Sequence, residues 1–223
     1  ATQLKVERIS EFLKQFGFGL KTGIDLFSET EGILPDRKWK LGTIGEPWFI
    51  GDTINMGIGQ GYINCTPLQL AVAVSLIATK GIAYKPRIVE KIGDELTQKE
   101  IIYEIKFIED IDWQKLQDSM GAVISAWNGT AHNLTQLGKN KIAGKTGTAQ
   151  IKSLTDEELT VKEEYEDVRL EESNRDHALF VGYGPLIEPK LTVVVIVENG
   201  ESGSAIAAPI AQRLIDYYLE SKR

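Results

Sequence analysis

Apolar positions along the chain fall into blocks whose spacing predicts their structure. Leu4, Ile9, Phe12, Leu13 and Phe16 recur at helical spacing, with Glu7, Arg8, Glu11 and Lys14 mainly opposite, so a helix is expected from Leu4 to Phe16 with Gly17 as its stop. A polar, proline-bearing excursion then runs to Lys40, and Trp39, Trp48 and Phe49 are expected to pin loops to the body. Thr66 as N-cap and Pro67 as first helical residue predict a helix to about Thr79, closed by Gly81. Its Leu68, Leu70, Ala71, Val72, Ala73, Val74, Leu76 and Ile77 are apolar nearly all round, which places it in the centre of a domain.

Tyr84 to Ile111 reads as short strands and turns, with Ile101–Ile105 the best strand candidate, and Asp112 as the N-cap of a helix carrying Trp113, Leu116, Met120, Val123 and Ile124. Strands are then expected at Ala143–Gln150, at Ala178–Tyr183 with His177 opening it, and at Leu191–Val197, whose unbroken apolar run suits cover on both faces. A closing helix from about Ser204 is expected to carry Ile206, Ile210, Leu214 and Tyr217 or Tyr218 on its packed side, with Pro209 near its first turn or marking a late start. An antiparallel meander with helices packed on it makes an α+β domain.

Charge changes this picture at one place. The formal net charge is −7, and between Ile151 and Asp176 ten acids face four bases, which accounts for −6 of it. That stretch is expected to be an insertion, either a mobile helix or hairpin over the cleft or a solvated segment without function. The remainder is close to neutral and has no basic stripe, which argues against nucleic acid as a partner. No run reaches the length of a membrane span. The single cysteine, Cys65, reads as a small buried apolar residue beside Thr66-Pro67 rather than a reactive thiol. Gly57, Gly59 and Gly61 do not have the spacing of a dinucleotide fingerprint and are expected to be turns. His132, in the loop that begins Asn128-Gly129-Thr130-Ala131, is expected to be solvated.

The residues with the most specific chemistry are Lys145-Thr146-Gly147-Thr148. Lys145 supplies a fixed positive charge and the two threonines supply hydroxyl donors. Gly147 removes a side chain that would keep a substrate off the backbone. Such a strand suits an extended, anionic peptide end added at a sheet edge, with the backbone N–H of Thr148 available to a carbonyl oxygen that becomes negative during acyl transfer.

The segment Ala143–Gln150 resembles the third motif of the penicillin-recognising serine acyltransferases, whose set is Ser-x-x-Lys, Ser-x-Asn and Lys-Thr-Gly. Gly57-Ile58-Gly59-Gln60-Gly61-Tyr62 and Thr66-Pro67-Leu68-Gln69-Leu70-Ala71 resemble the class B penicillin-binding proteins. Gly51–Met56 and Asp176–Tyr183 resemble their elongation branch. No serine in the chain is followed three positions on by lysine, and no Ser-x-Asn occurs, so the chain reads as the C-terminal part of one transpeptidase domain, incomplete at its N-terminus and inactive alone.

The resemblance implies an antiparallel sheet packed between helices, five-stranded when complete with its first two strands upstream. It also implies a peptidoglycan D,D-transpeptidase acting in cell elongation and acylated by β-lactams. In that scheme Lys145 acts near the serine, and Lys145, Thr146, Gly147 and Thr148 hold the donor peptide. Neither metal nor organic cofactor is required. Implied partners are peptidoglycan stem peptides, a rod-shape scaffold protein, a membrane glycan polymerase, and the upstream half of the same domain. The implied location is the periplasmic face of the inner membrane, with an N-terminal anchor outside this sequence. Competing resemblances are a cell-division transpeptidase, a serine β-lactamase or D,D-carboxypeptidase, and a non-catalytic penicillin-binding sensor or scaffold domain.

Overall fold

Residues 1–149 and 175–222 are described by the computed structural model; Gln150 and the acidic stretch, apart from Arg175 and Asp176, lie outside the described residues. Contacts divide the chain into two compact units, Ala1–Asp110 and Ile111–Arg223.

The first unit is mainly helical. Helix α1 (Lys5–Lys14) is followed by α2 (Arg37–Thr43), α3 (Ile50–Gly57) and α4 (Pro67–Ala78). Short strands β1 (Ile82–Tyr84) and β4 (Ile101–Glu104) pair antiparallel, as do β2 (Lys91–Ile92) and β3 (Glu95–Leu96). The α4 start is as expected: Thr66 Oγ1 accepts the Gln69 N–H at 3.1 Å and Gln69 Oε1 accepts the Thr66 N–H at 2.9 Å, a capping box with proline at the helix start. Gly17, Gly59 and Gly61 sit at positive φ (89°, 78° and 78°), in keeping with their reading as a helix stop and turns, whereas Gly57, also expected to be a turn, is the last residue of helix α3.

Three expectations for this unit are corrected. The excursion to Lys40 and the segment after it hold two helices. Asp36 caps α2 by accepting the Trp39 N–H at 2.7 Å, and Asp52 accepts the Phe49 N–H at 2.7 Å at the start of α3. Asp52 also receives Lys40 Nζ at 2.7 Å, and that lysine, 2% exposed, lies 4.7 Å from the Phe49 ring centroid and 5.3 Å from that of Tyr62. Each helix is too short to stand on propensity, so this ion pair and its aromatic neighbours supply what the local sequence lacks. Of the three loop aromatics, Trp48 is buried, Trp39 lies on α2, and Phe49 is exposed. In α1 the fully buried residue is Val6, while Leu4 and Phe12 of the expected stripe are exposed; Val6 packs with Trp48 and Met56.

The second unit is organised around a sheet. Helix α5 starts at Asp110 and runs to Ser125, so Asp112 lies inside its first turn rather than at the N-cap; of its expected apolar residues Trp113, Met120 and Ile124 are buried, Val123 is partly buried and Leu116 is exposed. A 3-10 turn (His132–Gln136) leads to β5 (Ala143–Ala149), which pairs antiparallel with β6 (His177–Gly184), which in turn pairs antiparallel with β7 (Leu191–Val197). A π-type turn (Gly203–Ala207), capped by Ser202, opens into helix α6 (Ala208–Ser221) with Pro209 in its first turn.

Ala178, Phe180, Val193 and Val195 on one sheet face pack with Ala207, Ala208, Ala211 and Ile215, and with Ile124, Ala131, Leu134 and Ile142. Two expectations change here. The packed side of α6 is Ala208, Ala211, Gln212 and Ile215, while Ile206, Ile210, Leu214 and Tyr217 are exposed, because small residues let the helix approach the sheet most closely. Strand β7 is not covered equally on both faces, since Val193 and Val195 are buried but Ile196 is 42% exposed. The architecture is α+β, with helices and antiparallel strands, as expected.

Candidate functional site

Strand β5 carries the lysine and threonines at one end of the sheet order β5-β6-β7, so among the described residues its outer edge is unpaired. Its register sets Lys145 opposite Val181, Thr146 opposite Phe180, Gly147 opposite Leu179 and Thr148 opposite Ala178. Side chains alternate along a strand, so Thr146 and Thr148 share the α6-facing side with Ala178 and Phe180, and Lys145 and Gly147 share the other with Leu179 and Val181. The three polar groups are therefore divided by the strand. Lys145 is exposed and brings its ammonium back to the strand itself, donating to the Thr146 carbonyl at 2.7 Å. Two of its three protons remain for a ligand at the edge. Thr148 is exposed and Thr146 half-buried.

Gly147 has a packing neighbour as well as an open backbone: a Cβ there would come within 3.1 Å of Leu179 Cδ2. Behind the same residue lies Gly203. A Cβ on Gly203 would lie 2.6 Å from the Gly147 carbonyl oxygen and 2.5 Å from that of Leu179, so the turn before α6 rests directly on the backbone of β5 and β6. His177 opens β6 opposite Ala149, as expected of a flanking residue, and its Nδ1 accepts the Asn199 N–H at 3.0 Å. Tyr183, at the far end of β6, is fully buried, and that burial, with Asp118 second, pushes its hydroxyl up to about 12.

The sequence reading missed two residues. Thr130 Oγ1 lies 2.9 Å from Thr146 Oγ1, and Gly203 contacts the strand from behind; both come from segments distant in sequence, which no local pattern links to Lys145. His132 is exposed, with Nδ1 3.2 Å from the Ile124 carbonyl oxygen. Cys65 is only partly buried, not buried as expected, and that burial pushes its thiol up, away from the thiolate form. Two open hollows of about 480 and 570 Å³ lie in the first unit, lined largely by polar and charged groups such as Glu31 and Arg37. Among the described residues no cluster of histidine, cysteine and acids is suited to a metal, and no helix is long and apolar enough to cross a membrane.

An edge strand bearing lysine, threonine and glycine, backed by a helix, is the arrangement that the resemblance to the penicillin-recognising class implies. The comparisons place the chain more closely. The chain belongs to the penicillin binding protein transpeptidase domain family, which it matches over residues 1–216. It is 37% identical over 226 residues to the peptidoglycan D,D-transpeptidase MrdA of Haemophilus influenzae, covering 100% of this chain and 34% of the relative. The crystal structure of Pseudomonas aeruginosa PBP2 in complex with WCK 5153 superposes with a TM-score of 0.82 at 35% identity, covering 98% of this chain and 43% of that one. PBP2 of Helicobacter pylori, in its complex with MreC, superposes with a TM-score of 0.75 at 31% identity, covering 98% and 36%. The chain thus spans about a third of the curated relative's length.

Proposed function

We propose that this chain is the C-terminal part of the transpeptidase domain of a D,D-transpeptidase that cross-links peptidoglycan stem peptides during cell elongation, and that β-lactams acylate the whole protein. The observation that carries this reading is Lys145-Thr146-Gly147-Thr148 on an edge of an antiparallel sheet that is unpaired among the described residues. An extended peptide adds along that edge, its terminal carboxylate held by the threonine hydroxyls and by the field of Lys145. The 223 residues hold no Ser-x-x-Lys, so the nucleophilic serine is assigned to residues outside them.

The serine oxygen attacks the carbonyl between two terminal D-alanines, with the Thr148 N–H and the serine's own N–H receiving the oxyanion. D-alanine leaves with the serine's proton. An amine of a neighbouring strand then attacks the ester and releases the serine. In this reading Lys145 favours negative charge at this centre. The similarity to a PBP2 that is found in complex with MreC supports a scaffold partner of that kind, and a membrane glycan polymerase is the second expected partner. The proposed location is the periplasmic face of the inner membrane, with the anchor upstream.

The test is mass spectrometry of the protein with its upstream portion after exposure to a fluorescent penicillin. One adduct is expected, and Lys145→Ala is expected to slow its formation by roughly a hundredfold. A protein bearing an upstream Ser-x-x-Lys that gains no adduct would overturn the enzymatic reading in favour of a binding domain.

A further inference from the structure

Thr130 lies sixteen residues before Thr146 in the sequence, yet the two hydroxyl oxygens are 2.9 Å apart. The segment that presents Thr130 is fixed on all sides. The Gly129 N–H donates to the Ala126 carbonyl at 2.9 Å and the Ala131 N–H to the Val123 carbonyl at 3.0 Å, which folds the chain back onto the end of α5. Gly129 itself sits so close that a Cβ would lie 2.3 Å from the Val123 carbonyl oxygen. Ala131 and Leu134 are buried in the core beneath the sheet, and Asn133 Nδ2 donates to the Ser204 carbonyl at 3.0 Å, joining this segment to the turn behind β5. Thr130 thus meets Thr146 from a rigid frame, at a place where both side chains still reach solvent.

Each hydroxyl has a single proton, and the contact between them consumes one. If Thr146 is to donate to an anion, its proton must be free, and Thr130 must then be the donor in the pair. A hydroxyl that accepts a hydrogen bond is polarised and donates more strongly in turn. Without Thr130, Thr146 is free to turn its proton toward a carbonyl of its own strand instead.

We propose that Thr130 is a positioning residue for recognition of the substrate's terminal carboxylate, holding the Thr146 hydroxyl as a donor toward that anion. This rests on the transpeptidase reading and extends it to a residue outside the Lys-Thr-Gly strand. The frame around Thr130 is made by Gly129, Ala131 and Asn133, so removing the hydroxyl alone should leave the fold intact.

The experiment uses the whole protein with its upstream portion and two donor peptides ending in D-alanyl-D-alanine, one with a free carboxylate and one with a carboxamide. Thr130→Val removes the hydroxyl at nearly constant shape, and Thr130→Ser restores it. The expected result is that Thr130→Val lowers kcat/KM for the carboxylate peptide by roughly tenfold, mainly through KM, leaves the carboxamide peptide within about twofold, and is rescued by Thr130→Ser. Equal losses on both peptides, or no loss, would overturn the proposal. If Thr130→Val fails to fold, Thr130→Ser and Thr130→Ala must reproduce the difference in selectivity between them, and equal selectivity would refute it. Failure of the underlying reading looks different, because the unmodified protein would then turn over neither peptide and gain no penicillin adduct, and the role of Thr130 would fall with it.

Discussion

Replacing Gly203 by alanine tests whether the turn before α6 sets the position of the site strand. The added Cβ would lie 2.6 Å from the Gly147 carbonyl oxygen, 2.5 Å from that of Leu179 and 3.2 Å from the Gly147 nitrogen. Ordinary carbon–oxygen contact begins near 3.3 Å, so the overlap is about 0.8 Å against two oxygens at once. Neither oxygen belongs to a side chain that can rotate away; both are part of the paired backbone of β5 and β6. The turn is also held, since Ser202 Oγ accepts the Ala205 N–H at 3.2 Å and the Ile206 N–H donates to the Ser202 carbonyl at 2.9 Å.

Relief therefore requires strand and helix to separate by something under 1 Å. Overpacking of this kind costs about 1–3 kcal/mol, and a shift approaching 1 Å at an acyl-transfer site costs up to about 100-fold in rate. The assay is the rate of acylation of the whole protein by a fluorescent penicillin, with thermal unfolding measured beside it. Gly42→Ala is the control, because no atom lies within 4 Å of the position a Cβ would take there. A Gly203→Ala protein that acylates at the unaltered rate would show that the strand is not placed by this contact.

Three further perturbations follow from the packing. Gln69, fully buried, donates from Nε2 to the Leu20 carbonyl at 2.7 Å and the Glu31 carbonyl at 2.8 Å, so Gln69→Leu orphans both carbonyls and opens the capping box. Hydrogen exchange across residues 20–33 should report local destabilisation of about 2–4 kcal/mol, and a change below about 1 kcal/mol would contradict the assignment. Burial alone would raise the Asp216 carboxyl, but hydrogen bonds from Asn140, Lys139 and Gln212 more than offset it and hold the group below its ordinary value. Its contribution is therefore complete above the ordinary carboxylate value near 3.9 and is lost as pH falls through the lower folded one; the stability gap between the unaltered protein and Asp216→Asn should close on acidification, and a gap that stays constant would refute this. The buried Tyr183 hydroxyl makes no hydrogen bond among the described residues, so Tyr183→Phe should leave the melting temperature unchanged or raise it, and a loss beyond about 1 kcal/mol would show that the hydroxyl has a partner.

How much of this was legible in the sequence depended on whether the cause was local. The α4 start was readable because Thr66, Pro67 and Gln69 are a cap, a helix-start proline and a back-bonding amide at fixed offsets. Strands β6 and β7 were readable from apolar runs between turns, and β5, which has no such run, from its Lys-Thr-Gly segment. Helices α2 and α3 were not, because each is a short segment stabilised across twelve residues by the Lys40–Asp52 pair, and a charge pattern does not announce its partner. The face of α6 was misread for a related reason. Ile206, Ile210, Leu214 and Tyr217 form the more hydrophobic stripe, but the sheet selected Ala208, Ala211 and Ile215, the two alanines permitting closer packing around the one large side chain. Side-chain size at the contact outweighed the count of large apolar residues.

The site strand shows the same division between what composition offers and what geometry permits. Lysine and threonine adjacent in a strand suggest one polar cluster, but alternation sends Lys145 to one face and Thr146 and Thr148 to the other. A ligand lying on either face would meet only part of the set. A ligand lying in the plane of the sheet, along the edge of β5 that is unpaired among the described residues, is reached from both sides: by the ammonium that already bends to the Thr146 carbonyl, and by the hydroxyls opposite. In the proposed reading the arrangement favours an extended chain over a compact anion, since only an added strand occupies the edge while its end group stays within reach of both faces. That selectivity arises from the strand's position at the margin of the sheet, and the same four residues in a central strand would lose it.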